Sequence, residues 1–201
     1  MLPIAILVSG SGSNLQAILD ESSRDPDFGA QPVIVISDRP GVAALERAQQ
    51  AGVATAMVDW TDYDSREAFT AALCDTAQQA DAEALVLAGF MRILSPEAVD
   101  RFPNKILNTH PALLPAFRGA NAIGDALAAG VKVTGVTIHF VDEEVDHGPI
   151  IAQQTVPVYP HDTEDSLRQR IQAIEHMLYP DVVKALARGE LTVDGTHVTW
   201  Q

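Results

Sequence analysis

Ile4-Ala5-Ile6-Leu7-Val8-Ser9-Gly10-Ser11-Gly12-Ser13-Asn14-Leu15 is the stretch from which the fold of this chain is read. The unbroken apolar run over 4–8 describes a strand buried on both faces, as in a parallel sheet. Small residues follow it, and Leu15, Ala17, Ile18 and Leu19 then open a helical face. Strand, small-residue turn and helix form a site where backbone amides at a helix start converge on phosphate. The dinucleotide fingerprint is incomplete, because Gly10 and Gly12 supply its first two glycines while Leu15 occupies the third. A monophosphate site is favoured over NAD, with a plain tight turn as the simpler alternative. Asp38, after the second apolar run, imitates a ribose-holding acid, but a lone acid at a strand end is weak ground.

The same alternation continues outward. Further strands are expected over 33–36, 54–58, 84–88 and 106–108, separated by helices over 43–51, about 65–79 and 96–101. Helices over 119–129 and from Asp162 or Thr163 onward follow, the latter with an approximate capping box from Asp162 to Asp165. Strands over 133–141 and 150–158 lie between them, and Pro157 marks the second as an edge. The predicted fold class is α/β, a single-domain three-layer sandwich over residues 1–201 with a mostly parallel twisted sheet and a Rossmann-like N-terminal half. Residues 191–201 read as a tail hairpin. In such a sheet ligands sit outside the carboxyl ends of the strands, where their order reverses.

Composition narrows the function. With 201 residues, 47% apolar and 20% charged, the chain supports one sizeable core, is short for two full domains, and is not expected to be disordered. No apolar run approaches the roughly 18 residues of a membrane span, and Met1-Leu2-Pro3-Ile4 lacks the basic region of a secretion signal. The single cysteine, Cys74, permits no intrachain disulfide, which fits a cytoplasmic protein, and its apolar-periodic surroundings mark it as a small buried hydrophobe. A net charge of −14 opposes gripping a nucleic-acid backbone. The expectation is a monomer or homodimer that handles small molecules, with no nucleic-acid or membrane partner.

Three further segments carry candidate chemistry. In Ile106-Leu107-Asn108-Thr109-His110-Pro111-Ala112-Leu113-Leu114-Pro115, the two-residue strand period puts Asn108 and His110 on one face and Thr109 on the other. Pro111 holds His110 extended. Gly89-Phe90-Met91-Arg92-Ile93-Leu94 is unusually apolar for a loop at a strand end. Two readings stand side by side for it: side chains covering the sheet end, or an apolar slot for a flat ring with backbone groups as polar contacts. Asp142-Glu143-Glu144-Val145-Asp146-His147-Gly148-Pro149 is an acidic turn, from which Asp146 can reach the crevice. His110, Asp146 and His147 are conceivable metal ligands, but no dense ligand pattern occurs and no metal is expected. His139 reads as an ordinary strand residue. On the last helix Gln172, Glu175 and Tyr179 form a stripe able to face a polar ligand. An asparagine, a histidine and a carboxylate suit acyl transfer without a covalent nucleophile, through a stabilised oxyanion and a proton acceptor.

These motifs, in order over residues 4–191, give the chain a resemblance to the folate-dependent phosphoribosylglycinamide formyltransferases of purine biosynthesis. The matching segments are Val8 through Leu15, Leu87 through Leu94, Leu107 through Pro115, and Val141-Asp142 with Asp146 through Ile150. The resemblance implies the formyltransferase fold and transfer of the formyl group of 10-formyltetrahydrofolate to the amine of glycinamide ribonucleotide. It implies a catalytic trio of Asn108, His110 and Asp146, with Thr137 ordering a catalytic water. Gly12, Ser13 and Asn14, with Gln172 and Glu175, fall on ribonucleotide contacts. Arg66, Phe90, Met91, Arg92, Ile93 and Leu94, with Val141, Asp142, Glu143, Glu144, Val145 and Asp146, fall on the folate side. It divides the chain into a phosphate-binding half over about 1–100 and a catalytic and folate-binding half over about 101–190. The chain departs from the family at Arg118-Gly119-Ala120-Asn121, where Pro-Gly-x-His is common. Arg-Gly there is similar to methionyl-tRNA formyltransferase, and the fold is shared with formyltetrahydrofolate deformylase. The His110-Pro111 pair, the chain's length and its negative charge weigh against the first, and its length alone weighs against the second. A phosphate-ligand binding protein without catalysis is the remaining alternative.

Overall fold

Seven strands in the order β3-β2-β1-β4-β5-β6-β7 form the central sheet of the computed structural model, which describes residues 1–201. They are β1 (Leu2–Val8), β2 (Ala30–Ser37), β3 (Ala54–Met57), β4 (Ala84–Leu87), β5 (Ile106–His110), β6 (Val133–Phe140) and β7 (Ile150–Pro157). β1 to β5 pair in parallel, while β6 and β7 run antiparallel to their neighbours. The mostly parallel α/β sheet therefore stands, with the Pro157-bearing strand at its edge. Strand order reverses beside β1, which lies between β2 and β4. Helices α1 (Ser13–Arg24), α2 (Ala43–Gln50), α5 (Ala122–Ala128) and α6 (Glu164–Ala187) cover one face. α3 (Arg66–Gln79) and α4 (Pro96–Arg101) cover the other.

Each face has its own core. Leu15, Ile18, Ile171, Tyr179 and Val182 pack with Ile4, Ile6, Val8 and Val136 beneath α1 and α6. Phe69, Leu73, Cys74 and Phe102 pack with Ala5, Leu7 and Leu85 beneath α3 and α4. β1 alternates between the two, as a strand covered on both sides must. Burial pushes the Cys74 thiol up to about 11, so it behaves as the small hydrophobe expected. The tail forms a separate hairpin of β8 (Leu191–Asp194) and β9 (His197–Trp200).

Several local expectations are corrected. β5 runs on through His110, since β6 pairs with it as far as His110 and Thr137. α5 starts at Ala122 rather than at 119, because Phe117 and Gly119 have φ of 53° and 91° and cannot continue a helix. The capping box of α6 joins Thr163 and Ser166, and Asp162 instead pairs with Arg170 at 2.8 Å. Tyr179 leaves the ligand-facing stripe of α6. It is fully buried and its hydroxyl lies 3.0 and 3.1 Å from the carbonyl oxygens of Leu107 and Leu87, tying α6 to β5 and β4.

Candidate active site

The carboxyl ends of β1, β4 and β5 open onto a cleft of about 240 Å³. Ser9 through Asn14 form one wall, Gly89 and Met91 another, and Thr109 with Arg168, Gln172 and Glu175 of α6 a third. Gly12 caps α1 at φ 74°, a left-handed conformation that glycine adopts without strain. A methyl group there would also lie 2.7 Å from the Ala44 Cβ, so the turn fits against α2 only without a side chain. Arg47 of α2 donates from Nε to the Ser11 carbonyl at 2.8 Å and from Nη1 to Gln16 at 3.1 Å, bracing the loop from outside. The first residues of α1, Ser13 and Asn14, border the cleft, and a helix start with its unpaired amides favours an anion.

Across from this loop, Glu175 is almost wholly buried. Thr109 Oγ1 donates to its Oε1 at 2.9 Å and Asn14 Nδ2 to its Oε2 at 3.2 Å. Burial pushes the Glu175 carboxyl up, and the bonds from Thr109 and Asn14 pull only part of the way back. Asn14 Oδ1 is buried without a partner, which leaves an acceptor at the cleft wall. Gln172 and Glu175, Gly12, Ser13 and Asn14 thus share one cleft. Arg168, unremarked in the sequence, is the cation on that cleft; it carries a 3.7 Å pair with Glu164 and is half exposed.

Asn108 and His110 project from the opposite face of β5, beside the acidic turn. His110 Nδ1 lies 3.3 Å from Asp146 Oδ2, and His110 Nε2 lies 2.8 Å from the Phe117 carbonyl oxygen. An acceptor lies beside each ring nitrogen, and the Nε2–H donates to the Phe117 carbonyl oxygen. Asp146 takes φ 50°, a conformation in which aspartate is enriched, and its Oδ2 also accepts from the Gly119 amide at 2.8 Å. Phe117 and Gly119, the one just before and the other within the departing segment Arg118 to Asn121, therefore clasp the two members of the pair. Asn121 itself turns away, donating from Nδ2 to Asp125 at 2.8 Å.

His139 joins this group, against its reading as an ordinary strand residue. The register of β5 on β6 sets it opposite Asn108, and Asn108 Nδ2 lies 3.2 Å from His139 Nε2. The other nitrogen, Nδ1, lies 2.7 Å from the Phe140 carbonyl oxygen and must carry the proton to bond there. Nε2 is then an acceptor, which orients the Asn108 amide group. Burial pushes His139 below the ordinary histidine range, more than the Phe140 carbonyl and Asp146 raise it, so the ring stays neutral. The signal was the two-residue period of β6, which puts Thr137 and His139 on one face; the strand pairing that brings that face to Asn108 is not written locally.

Thr137 is placed differently from its expected role. Its hydroxyl donates to the Ala112 carbonyl at 2.7 Å and accepts from the Leu114 amide and Gln153 Nε2 at 3.0 and 2.9 Å. Those bonds fill the hydroxyl's capacity, so it braces the loop after His110 instead of ordering a water.

The loop after β4 divides. Phe90 and Leu94 point into the α3 core, with Phe90 stacked on Phe69 at 6.3 Å, while Met91 and Ile93 are exposed. The reading of side chains covering the sheet end holds for Phe90 and Leu94, and Met91 and Ile93 stay at the surface. Val141 and Asp142 are half-buried, Glu143, Glu144 and Val145 are exposed, and Arg66 stands at the exposed start of α3 beside Glu67 at 3.5 Å. His147 bonds Asp142 at 2.7 Å, which raises its pKa and keeps it apart from His110. No group of three or more His, Cys, Asp or Glu side chains is arranged to hold a metal ion.

The comparison with known proteins agrees with this geometry. The family model described as formyl transferase matches residues 2–183. The Escherichia coli phosphoribosylglycinamide formyltransferase is 42% identical over 188 residues, 94% of this chain and 88% of that protein. The chain belongs to the phosphoribosylglycinamide formyltransferase family. Within that family, the crystal structure of glycinamide ribonucleotide transformylase 1 from Symbiobacterium toebii superimposes with a TM-score of 0.95 at 47% identity, covering 100% of this chain and 94% of that one. The trifunctional purine biosynthetic protein adenosine-3 of Bos taurus is 43% identical over 98% of the chain, which spans 20% of that longer relative. No helix of this family member is long and apolar enough to cross a membrane.

Proposed function

We propose that this protein transfers the formyl group of 10-formyltetrahydrofolate to the amine of glycinamide ribonucleotide, giving formylglycinamide ribonucleotide and tetrahydrofolate. The observation that carries the reading is the convergence of Asn108, His110 and Asp146 beside a phosphate-type cleft, with His110 Nδ1 3.3 Å from Asp146 Oδ2. Thr109 and His110 are consecutive on β5, so the cleft and the trio meet at one peptide. In this proposal the glycine-type loop of Gly12, Ser13 and Asn14 takes the phosphate, and Gln172 and Glu175 hold the rest of the ribonucleotide. The pterin of the folate rests against Phe90, Met91, Arg92, Ile93 and Leu94 and the turn from Val141 through Asp146, with Arg66 near the anionic tail.

The amine nitrogen attacks the formyl carbon, and the carbonyl π electrons move to oxygen. Asn108, oriented by His139, donates an amide hydrogen to that oxyanion, and the His110 imidazolium stabilises it. Asp146 holds the imidazolium and accepts the proton released by the attacking amine. Collapse breaks the bond from carbon to the folate N10, which takes a proton in return. Thr137 keeps the loop after His110 in place, and both halves of the chain, about 1–100 and about 101–190, supply the ribonucleotide cleft; 191–201 stays outside the chemistry. The protein works in the cytoplasm on these small molecules as a monomer or homodimer, without nucleic acid or membrane. The test follows the absorbance change of tetrahydrofolate release with and without glycinamide ribonucleotide. Release must depend on that amine and need no added metal; strict dependence on methionyl-tRNA, or release with water alone, overturns the proposal.

A further inference from the structure

Asp38 remains unused by the reaction just described, yet its side chain is wholly buried at the end of β2, a place where an isolated carboxylate is costly. It does not face the cleft as a ribose-holding acid would. Instead Arg92 donates from Nε to its Oδ2 at 2.7 Å, and Arg39 approaches both oxygens at 3.3 Å. The Ser9 hydroxyl adjoins the same carboxylate. Burial pushes the Asp38 carboxyl up, but bonds from Arg39, Ser9 and Arg92 outweigh it and hold it below the usual range. The Arg92 guanidinium also lies 5.1 Å from the centre of the Trp60 ring, and the Trp60 amide donates to the Asp38 carbonyl at 3.2 Å.

Two loops meet on this group. Ser9 begins the phosphate-type turn after β1, and its Oγ accepts the Met91 amide at 2.9 Å. Met91 and Arg92 belong to the loop after β4. Asp38 stands at the third strand end, beside the point where strand order reverses. Its carboxylate anchors Arg92 by a charge-assisted bond, and through Ser9 it adjoins the amide of Met91. We infer that Asp38 is a positioning residue, which fixes the Met91–Arg92 backbone against Ser9 and so holds the folate-binding loop in register with the ribonucleotide loop. This inference rests on the function proposed above, because it assigns the loop after β4 to the folate.

The test compares wild type with Asp38→Asn, which keeps the shape and removes the charge shared by two guanidinium groups. A lost charge-assisted bond weakens folate binding by about tenfold. Expected is a tenfold rise in KM for 10-formyltetrahydrofolate, with kcat and the KM for glycinamide ribonucleotide within about twofold. Arg92→Gln produces the same rise, and the double variant is no worse than either single one, since both cut one connection. The Kd of tetrahydrofolate measured by calorimetry moves in parallel, giving a readout independent of turnover. A lowered Tm with unchanged KM and Kd, or additive effects of the two substitutions, overturns the inference. Should Asp38→Asn fail to fold, Ser9→Ala, which removes the acceptor of the Met91 amide, decides by its own KM and Kd for the folate. A wild-type protein that binds tetrahydrofolate but transfers nothing rejects the formyl-transfer reading alone, and the Kd comparison then decides the inference. One that binds no tetrahydrofolate overturns both.

Discussion

Replacing Asp146 with asparagine separates chemistry from folding. The carboxylate lies 3.3 Å from His110 Nδ1, with side-chain exposures of 10% and 5%, so solvent screens the pair little. Unit charges at that distance attract by roughly 5 kcal/mol at an effective dielectric of about 20, an upper limit for what the imidazolium loses. Since about 1.4 kcal/mol is tenfold, turnover should fall by about a thousandfold. The fold should barely notice. Asparagine tolerates the φ of 50° at this position, and its Oδ1 still accepts from the Gly119 amide. Weakening that bond costs about 1 kcal/mol, or about 2–4 °C in Tm for a chain of this size. The assay pairs tetrahydrofolate release at saturating substrates with thermal unfolding by circular dichroism. Retention of more than a tenth of turnover, or a Tm loss above about 10 °C that accounts for inactivity, would refute the role given to Asp146.

Other perturbations read other parts of the site. Glu175→Gln removes a carboxyl that burial already pushes toward neutrality; with the Asn14 amide reversed, the new Nε2 can donate to Asn14 Oδ1. It should raise stability at pH 7 by about 1 kcal/mol while raising the KM for glycinamide ribonucleotide at least tenfold, and a destabilised variant with normal KM contradicts this. Thr137→Val leaves the Leu114 amide without its acceptor and the Ala112 carbonyl without its donor, while Gln153 keeps its bond to the Leu114 carbonyl, and should cost about 3 kcal/mol, read as a Tm lower by about 6–12 °C; an unchanged Tm rejects the bracing role. His139, pushed below the ordinary histidine range by burial, is protonated in the unfolded chain before the folded one. Its contribution is fully present above about pH 6.5 and is lost as pH falls below that. His139→Asn should therefore flatten the fall of Tm between pH 7 and 5. Some slope should persist from His176, which burial also pushes down; an unaltered slope removes the assignment.

The sheet was legible because its strands are continuous apolar runs cut by Gly10, Gly52 and Gly89, which local physics reads directly. What escaped came from pairing across distance. His139 looked ordinary until its register set it against Asn108. Thr137 looked available until the loop after His110 folded back on its hydroxyl. The start of α5 was misplaced because Phe117 and Gly119 obey His110 and Asp146 rather than their own helical preference. Asp38 was noticed for a different task, since nothing local reveals that Arg92 comes to meet it.

Strand β5 acts as a ruler with two scales. Thr109 reports to Glu175 on one side, while Asn108 and His110 serve the acidic turn on the other. Adding or deleting a single residue there would trade the two compartments, sending the imidazole toward α6 and a hydroxyl toward Asp146. Designers wishing to change what this protein accepts have more latitude at the exposed side chains of Met91 and Ile93, and at Asn121, than in the count of residues between Ile106 and His110.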